Sequence, residues 1–178
     1  ITISVVALFI KEPLLLSLSL FGLYAVIKHK YYKSGIFISV ASLFLFVVVT
    51  QITIPFYFKN EYGFISSIAF SKFGSGFLEV TKNIVLHPTL VVSELFFSKD
   101  KLIYLFCIFA PLLFIPLFSP LALLPSLPMI LIAILSQVPN YYSLQSHYFS
   151  SIVPGLFVAF IYGLEKEKQL LIKKLSSV

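Results

Sequence analysis

The chain has 178 residues, of which 59% are hydrophobic and 11% charged, and its mean hydropathy is +1.01. A soluble domain carries about a quarter charged residues and could not bury this much apolar surface, which excludes an ordinary water-soluble fold. The net charge of +6 rests on lysine alone, since the sequence holds no arginine, so phosphate contacts fall to Lys, His or backbone amides rather than to a bidentate guanidinium.

Residues 1–10 are apolar but too short to cross a bilayer, and neither a basic n-region nor a small-residue cleavage site marks them as a signal peptide. They are expected to be the end of a span whose beginning lies in an N-terminal remainder of the same protein. Pro13 suits the first turn of a new helix, where its missing N–H costs nothing, and predicts a span over residues 13–27. The dense cluster Lys28, His29, Lys30, Tyr31, Tyr32 and Lys33 then reads as a cytoplasmic turn. Residues 35–57 contain no charged side chain; as a helix they measure about 34 Å, enough for a hydrocarbon core of about 30 Å.

Across residues 58–101 the polarity rises. Gly63, Gly74, Gly76 and Pro88 punctuate this segment, and Phe77, Val80, Ile84 and Val85 recur at helical spacing, which predicts short amphipathic helices on the external membrane surface. Spans follow at residues 102–118 and 121–137, both kinked by proline (Pro111, Pro116, Pro125, Pro128) and joined by a tight turn at Ser119 and Pro120. Residues 138–151 form a polar external loop, residues 152–164 a short last span, and residues 165–178 a lysine-rich cytoplasmic tail. The fold class is therefore all-α: a single membrane domain over residues 1–178, a polytopic transmembrane bundle with short interfacial helices, multi-pass in the cytoplasmic membrane.

This path brings Lys11, Glu12, Lys59, Glu61, His87, Gln145, His147 and Tyr148 towards one membrane face. Ionisable residues at a span boundary are costly unless they pair or reach water. Glu12, at a helix N-terminus, stays ionised and could hold a divalent metal or take a proton, or could simply cap its helix. Beside it, Lys11 offers positive charge to a phosphate. His147 suits an acid, a base or a phosphate contact, or an interfacial residue bonded to its own loop; Gln145 and Tyr148 flank it as candidate substrate contacts. His87 before Pro88 reads as a helix terminator, and His29 as a solvated residue of the basic turn.

The one cysteine, Cys107, excludes a disulfide framework and a cysteine metal site. Gly-rich phosphate loops, HExxH and CxxC pairs, a Ser/His/Asp arrangement and a basic-aromatic nucleic-acid platform are all missing. The lysines beside apolar runs are matched to anionic lipid headgroups, and no nucleic-acid partner is expected.

Lys11-Glu12 opening a span, the basic turn, His87-Pro88, the run PLLFIPLFSPLALLPSLP and the closing HYFSSIVPGLFVAFIYGL resemble the predicted membrane proteins grouped as DUF2079. That family is similar in turn to the GT-C class of polytopic glycosyltransferases, which take sugar from a polyprenyl-phosphate donor at the external face. The resemblance implies a C-terminal part of such a transferase, with Glu12 and His147 as catalytic candidates and membrane lipids and a polyprenyl-phosphate sugar as partners. The catalytic acid of that class falls upstream of these residues. A transporter or non-catalytic membrane scaffold, in which the same residues line a polar cavity, is the alternative.

Overall fold

The computed structural model describes residues 12–58, 68–74, 77–96 and 98–175. Among these the chain is helical throughout. Helix α1 (Pro13–His29) starts at the proline as expected and ends where Lys30 adopts a left-handed conformation (φ 57°). That conformation lets the amides of Lys30 and Tyr31 turn back onto the carbonyls of Val26 and Ala25, at 3.2 and 3.3 Å.

Helix α2 (Tyr32–Val48) returns along α1. Two glycines set how closely the pair approaches. A Cβ on Gly22 would lie 2.6 Å from the Gly35 carbonyl oxygen, so only a residue without a side chain fits there. The hydroxyls of Ser19 and Ser39 meet at 3.3 Å in the same seam. Past Val48 the helix widens into a π-helical turn, Val49–Thr53, and resumes as α-helix at Ile54–Phe58. Pro55 explains the widening: it has no N–H for the Gln51 carbonyl, and its ring would strike that carbonyl in a regular α-helix. The Ile54 amide instead reaches back to Val49, and the Thr50 hydroxyl donates to the Phe46 carbonyl at 2.8 Å.

The charged middle of the chain forms α3 (Phe77–Leu86) and α4 (Pro88–Phe96), at 10 and 9 residues too short to span. Helix α5 (Lys99–Phe109) begins before the expected boundary at Leu102. Residues 102–118, expected as one kinked span, are not one helix. After Phe109 come a 3-10 turn (Ala110–Leu112), two left-handed residues, Leu113 (φ 51°) and Phe114 (φ 59°), and a second 3-10 turn (Ile115–Phe118). Pro111 and Pro116 each remove a helix donor and disfavour helix at the preceding residue, which together is more than a kink can absorb.

Pro125 and Pro128 have the milder effect. Helix α6 (Pro120–Leu123), a 3-10 turn (Leu124–Ser126) and α7 (Leu127–Leu135) form one rod, each proline falling at the start of a new segment where no donor is needed. Helix α8 (Val153–Leu175) runs on through residues 165–175, so the stretch expected as a tail is helical and continuous with the helix before it.

In the bundle α1 packs between α2 and the α6–α7 rod, and α8 lies against α6 and the 115–118 turn. The main core joins Tyr104, Ile108 and Phe109 of α5 to Met129, Ile130, Ala133 and Ile134 of α7 and to Ile152 and Leu156. Smaller clusters seal α1 to α2 (Leu15, Phe46, Val49) and α1 to α6 and α8 (Tyr24, Ala122, Ala159). The outer face of α2 is bare: Ile36, Phe37, Val40, Leu43, Phe44 and Val47 are all exposed. So large an apolar face is stable only against lipid or another protein.

Candidate functional site

Glu94 is the one charged side chain in α4, a helix otherwise built of apolar and hydroxyl residues. Ser98 then breaks the helix, so that α5 restarts at Lys99 and carries Lys101 in its first turn, facing back towards Glu94. Gln137 is reached just after the apolar rod ends. Its amide donates to the Ala69 carbonyl at 2.7 Å, which pins the turn containing Lys72 against the bundle. Asn83 holds the far end of that turn through the Phe73 carbonyl at 2.8 Å. With Tyr142 from the 3-10 turn Pro139–Tyr142, these residues enclose a cavity of about 280 Å³, completed by Ser98 and Ser136.

The Glu94 carboxylate organises the cavity. One oxygen accepts from Lys101 Nζ at 2.6 Å and from Gln137 Nε2 at 3.1 Å; the other accepts from Lys72 Nζ at 2.6 Å. Glu94 is 10% exposed and Lys101 2%, whereas Lys72 is 59% exposed. Burial by itself would raise the Glu94 carboxyl, but the hydrogen bonds from Lys101, Lys72 and Gln137 outweigh it and hold the pKa at about 2. The Lys101 ammonium also lies 5.5 Å from the centre of the Tyr142 ring, a cation–π contact. Burial first, and then the charges of Asp100 and Glu94, push the Tyr142 phenol up. Two lysines and one carboxylate leave the lining with an excess of one positive charge.

Glu12, Gln145, His147 and Tyr148 do not line this cavity. Lys11, Lys59 and Glu61 lie outside the described residues. Glu12 occupies the N-cap position of α1 without a side-chain cap bond. The Tyr141 phenol is raised by burial, by a hydrogen bond and the charge of Tyr148, and by the charge of Glu12. The Tyr141 and Tyr148 rings lie 4.4 Å apart and the Tyr148 and His147 rings 4.3 Å apart. An aromatic run therefore leads from the surroundings of Glu12 to His147 at the same end of the bundle. His147 opens the short turn His147–Ser150, capped by Ser146, and the Gln145 amide donates to Ser143 Oγ at 3.3 Å. His87 sits between α3 and α4, its amide closing α3 on the Asn83 carbonyl at 2.9 Å. Among the described residues no three His, Cys, Asp or Glu side chains gather as a metal set.

The opposite end is basic and open. There Lys28 Nζ lies 5.5 Å from the Tyr162 ring centre, and Lys166 Nζ donates to the Phe118 carbonyl at 3.2 Å. The Lys28–Lys33 turn, the reversal at Phe118 and the charged part of α8 are thus neighbours.

An all-helical chain with an apolar helix long enough to cross a bilayer, Tyr32–Tyr57, and a polar cavity beyond the other apolar helices has the makeup of a membrane-embedded protein. Pro13–His29 and Pro120–Leu135 are apolar but shorter. The family comparison agrees: the profile of the predicted membrane proteins DUF2079 matches residues 1–177, and the chain belongs to that family. No curated protein and no solved structure matches the chain with significance.

The sequence does not announce the Glu94 cavity, because Lys72, Glu94 and Lys101 fall in the polar stretch 58–101, which reads as surface helices. Two signals could have found it: a lone carboxylate in a short apolar helix, and a glutamine directly after a long apolar run.

Proposed function

We propose that this chain is a multi-pass protein of the cytoplasmic membrane that contributes the donor-binding end of a GT-C-like glycosyltransferase using a polyprenyl-phosphate sugar. The observation that carries it is the contrast between the two ends of the bundle. One end is an open lysine cluster suited to the cytoplasmic leaflet; the other holds a half-enclosed cavity in which a buried lysine is fixed by a buried carboxylate. In this reading α1, α2, α5 with the turns after it, the α6–α7 rod and α8 cross the bilayer, and α3 and α4 rest on the external surface.

A lipid-linked sugar donor carries its phosphate at the depth where headgroups meet hydrocarbon, beside its apolar tail. Lys72 and Lys101 supply positive charge there, and the mutually tilted His147, Tyr148 and Tyr141 rings offer an aromatic wall near Glu12. Glu12 would hold a divalent metal only with the donor's phosphate oxygens completing the shell, since magnesium is commonly bound through one or two carboxylates plus phosphates. Otherwise it serves as a base towards an acceptor hydroxyl.

The test is transfer itself. The full-length protein in native membranes, supplied with radiolabelled polyprenyl-phosphate hexose and magnesium, is expected to release label from the lipid to an acceptor, and Glu12→Gln is expected to abolish release. Full retention of label on the lipid by the wild-type protein would remove the enzymatic reading.

A further inference from the structure

We infer that the cavity framed by Lys72, Lys101, Glu94, Gln137 and Tyr142 is a binding site for a singly charged phosphodiester headgroup of a membrane amphiphile. This deepens the membrane reading above and does not require that any sugar be transferred.

The charge comes first. Lys101 is almost fully buried yet shares its carboxylate with Lys72, so Glu94 neutralises one ammonium and leaves the other uncompensated. The surplus charge sits on Lys72, 59% exposed at the mouth of the cavity, where it can pair with an anion that enters from outside. A phosphodiester carries one negative charge, which matches the excess. A diphosphate or a phosphate monoester carries more than the single excess charge of the lining can balance.

The donors fit the same ligand. Lys72 is 59% exposed at the rim and can move from the carboxylate to an arriving phosphate, whereas Lys101 is held from inside by Glu94 and the Tyr142 ring. Glu94 is thus a positioning residue: it aims the buried ammonium and does not itself favour an anion. Ser98 and Ser136 add neutral hydroxyls to the wall. At about 280 Å³ the space lies just below the range of about 300–1,000 Å³ typical of drug-sized ligands, so it admits a headgroup and not a bulky apolar body.

The surroundings favour an amphiphile over a free ion. On the helix that carries Lys101, the exposed side chains Leu102, Ile103 and Phe106 run away from the cavity. Phe96, 65% exposed, lies two residues beyond Glu94. A charged cavity beside bare apolar surface seats a ligand with a polar head and an apolar tail.

The experiment is a 31P NMR titration of the full chain in neutral detergent micelles with three probes: dihexyl phosphate, which is a sugar-free monoanionic diester, dihexyl pyrophosphate, and inorganic phosphate. Saturable broadening is expected with dihexyl phosphate, with inorganic phosphate and the pyrophosphate at least about tenfold weaker. Lys72→Gln should weaken the diester by roughly tenfold or more, as loss of one charged hydrogen bond requires, and Lys72→Arg should restore it. Lys72 is a rim residue, so the variant tests the site without challenging the core. Equal binding of inorganic phosphate would assign the cavity to free phosphate and overturn the amphiphile. Absence of saturation, or Lys72→Gln binding like wild type, would overturn the site itself. A protein that binds dihexyl phosphate but releases no labelled sugar keeps this inference and loses the enzymatic one.

Discussion

Replacing Glu94 by glutamine should destabilise the fold far more than removing the exposed lysine that touches the same carboxylate. Glu94→Gln keeps the shape of the side chain and one acceptor oxygen but leaves Lys101, 2% exposed, without its counter-charge. Removing one partner of a buried pair costs about 3–5 kcal/mol, because the remaining charge is stranded. The carboxyl, held down by Lys101, Lys72 and Gln137 together, gives a figure of similar size. Its pKa falls from 4.5 to about 2 on folding, and at about 1.36 kcal/mol per unit this is roughly 3 kcal/mol. Lys72→Gln breaks a contact of the same 2.6 Å length, but at a side chain 59% exposed, where an ion pair contributes about 0–1 kcal/mol. For a domain of this size about 2–4 °C of melting temperature corresponds to each kcal/mol, so Glu94→Gln should lower Tm by roughly 6–20 °C and Lys72→Gln by less than about 4 °C. Thermal unfolding in one detergent at pH 7 measures both. The double variant Glu94→Gln/Lys101→Met should recover most of the loss, since it removes the stranded charge. Equal small shifts for both single variants would refute the reasoning, because Lys101 would then be reaching water.

The same carboxyl sets a pH dependence. A depressed pKa contributes stability that is complete above the unfolded value of 4.5 and is lost as pH falls towards about 2, so Tm of the wild type should drop over that window and Glu94→Gln should flatten its share of the drop. In the α1–α2 seam, Gly22→Leu places a side chain against the Gly35 carbonyl and should separate the hairpin at a cost of about 1–3 kcal/mol, whereas a Leu at Phe37, on the bare face, should leave Tm within about 1 °C; a melting curve of each variant decides it. Cysteines at Lys30 and Lys168 should react with an impermeant maleimide from one side of sealed vesicles and a cysteine at Lys72 from the other. Reaction of Lys30 and Lys72 from the same side would contradict the assignment of spans.

The start of α1 was legible because it depends on local chemistry: Pro13 opens it where a missing N–H is free; Pro88 and Pro120, which read as following a helix terminator and as part of a turn, open α4 and the rod by the same chemistry. Proline's consequences further along were not. Pro111 with Pro116 breaks the chain, while Pro125 with Pro128 leaves a rod, and the difference lies in spacing relative to new helix starts and in what packs outside. Ser126 illustrates the latter: its hydroxyl donates to the Ile152 carbonyl at 3.0 Å, a tie across 26 residues that no local pattern announces. The Glu94 cavity was hidden for the same reason. Its parts come from the 68–74 turn, α4, α5 and the end of α7, and the bond from Gln137 to Glu94 joins residues 43 apart in sequence. Burial of Lys101 arises only when these segments dock, so a lysine destined for the interior has the same sequence signature as one in water.

The π-helical turn at Val49–Thr53 carries a consequence for how α2 tolerates changes of length. A π turn is an α-helix holding one surplus residue, accommodated as a bulge in place of a longer rod. Dropping a residue from this stretch would remove the surplus without shortening the regular helix on either side, although Pro55 would still offer no N–H to the carbonyl one turn before it. Because the bulge already absorbs that residue, the part downstream would keep close to its present direction, whereas the same deletion from the regular helix before Val49 would swing everything beyond it by about 100°, the angle per residue in a helix of 3.6 residues per turn. Phe56 and Tyr57, 76% and 73% exposed, would stay on the outside, as would Ile36 to Val47. The bulge is thus one amino acid of slack built into the C-terminal part of the long apolar helix Tyr32–Tyr57, where a deletion is absorbed instead of being passed on.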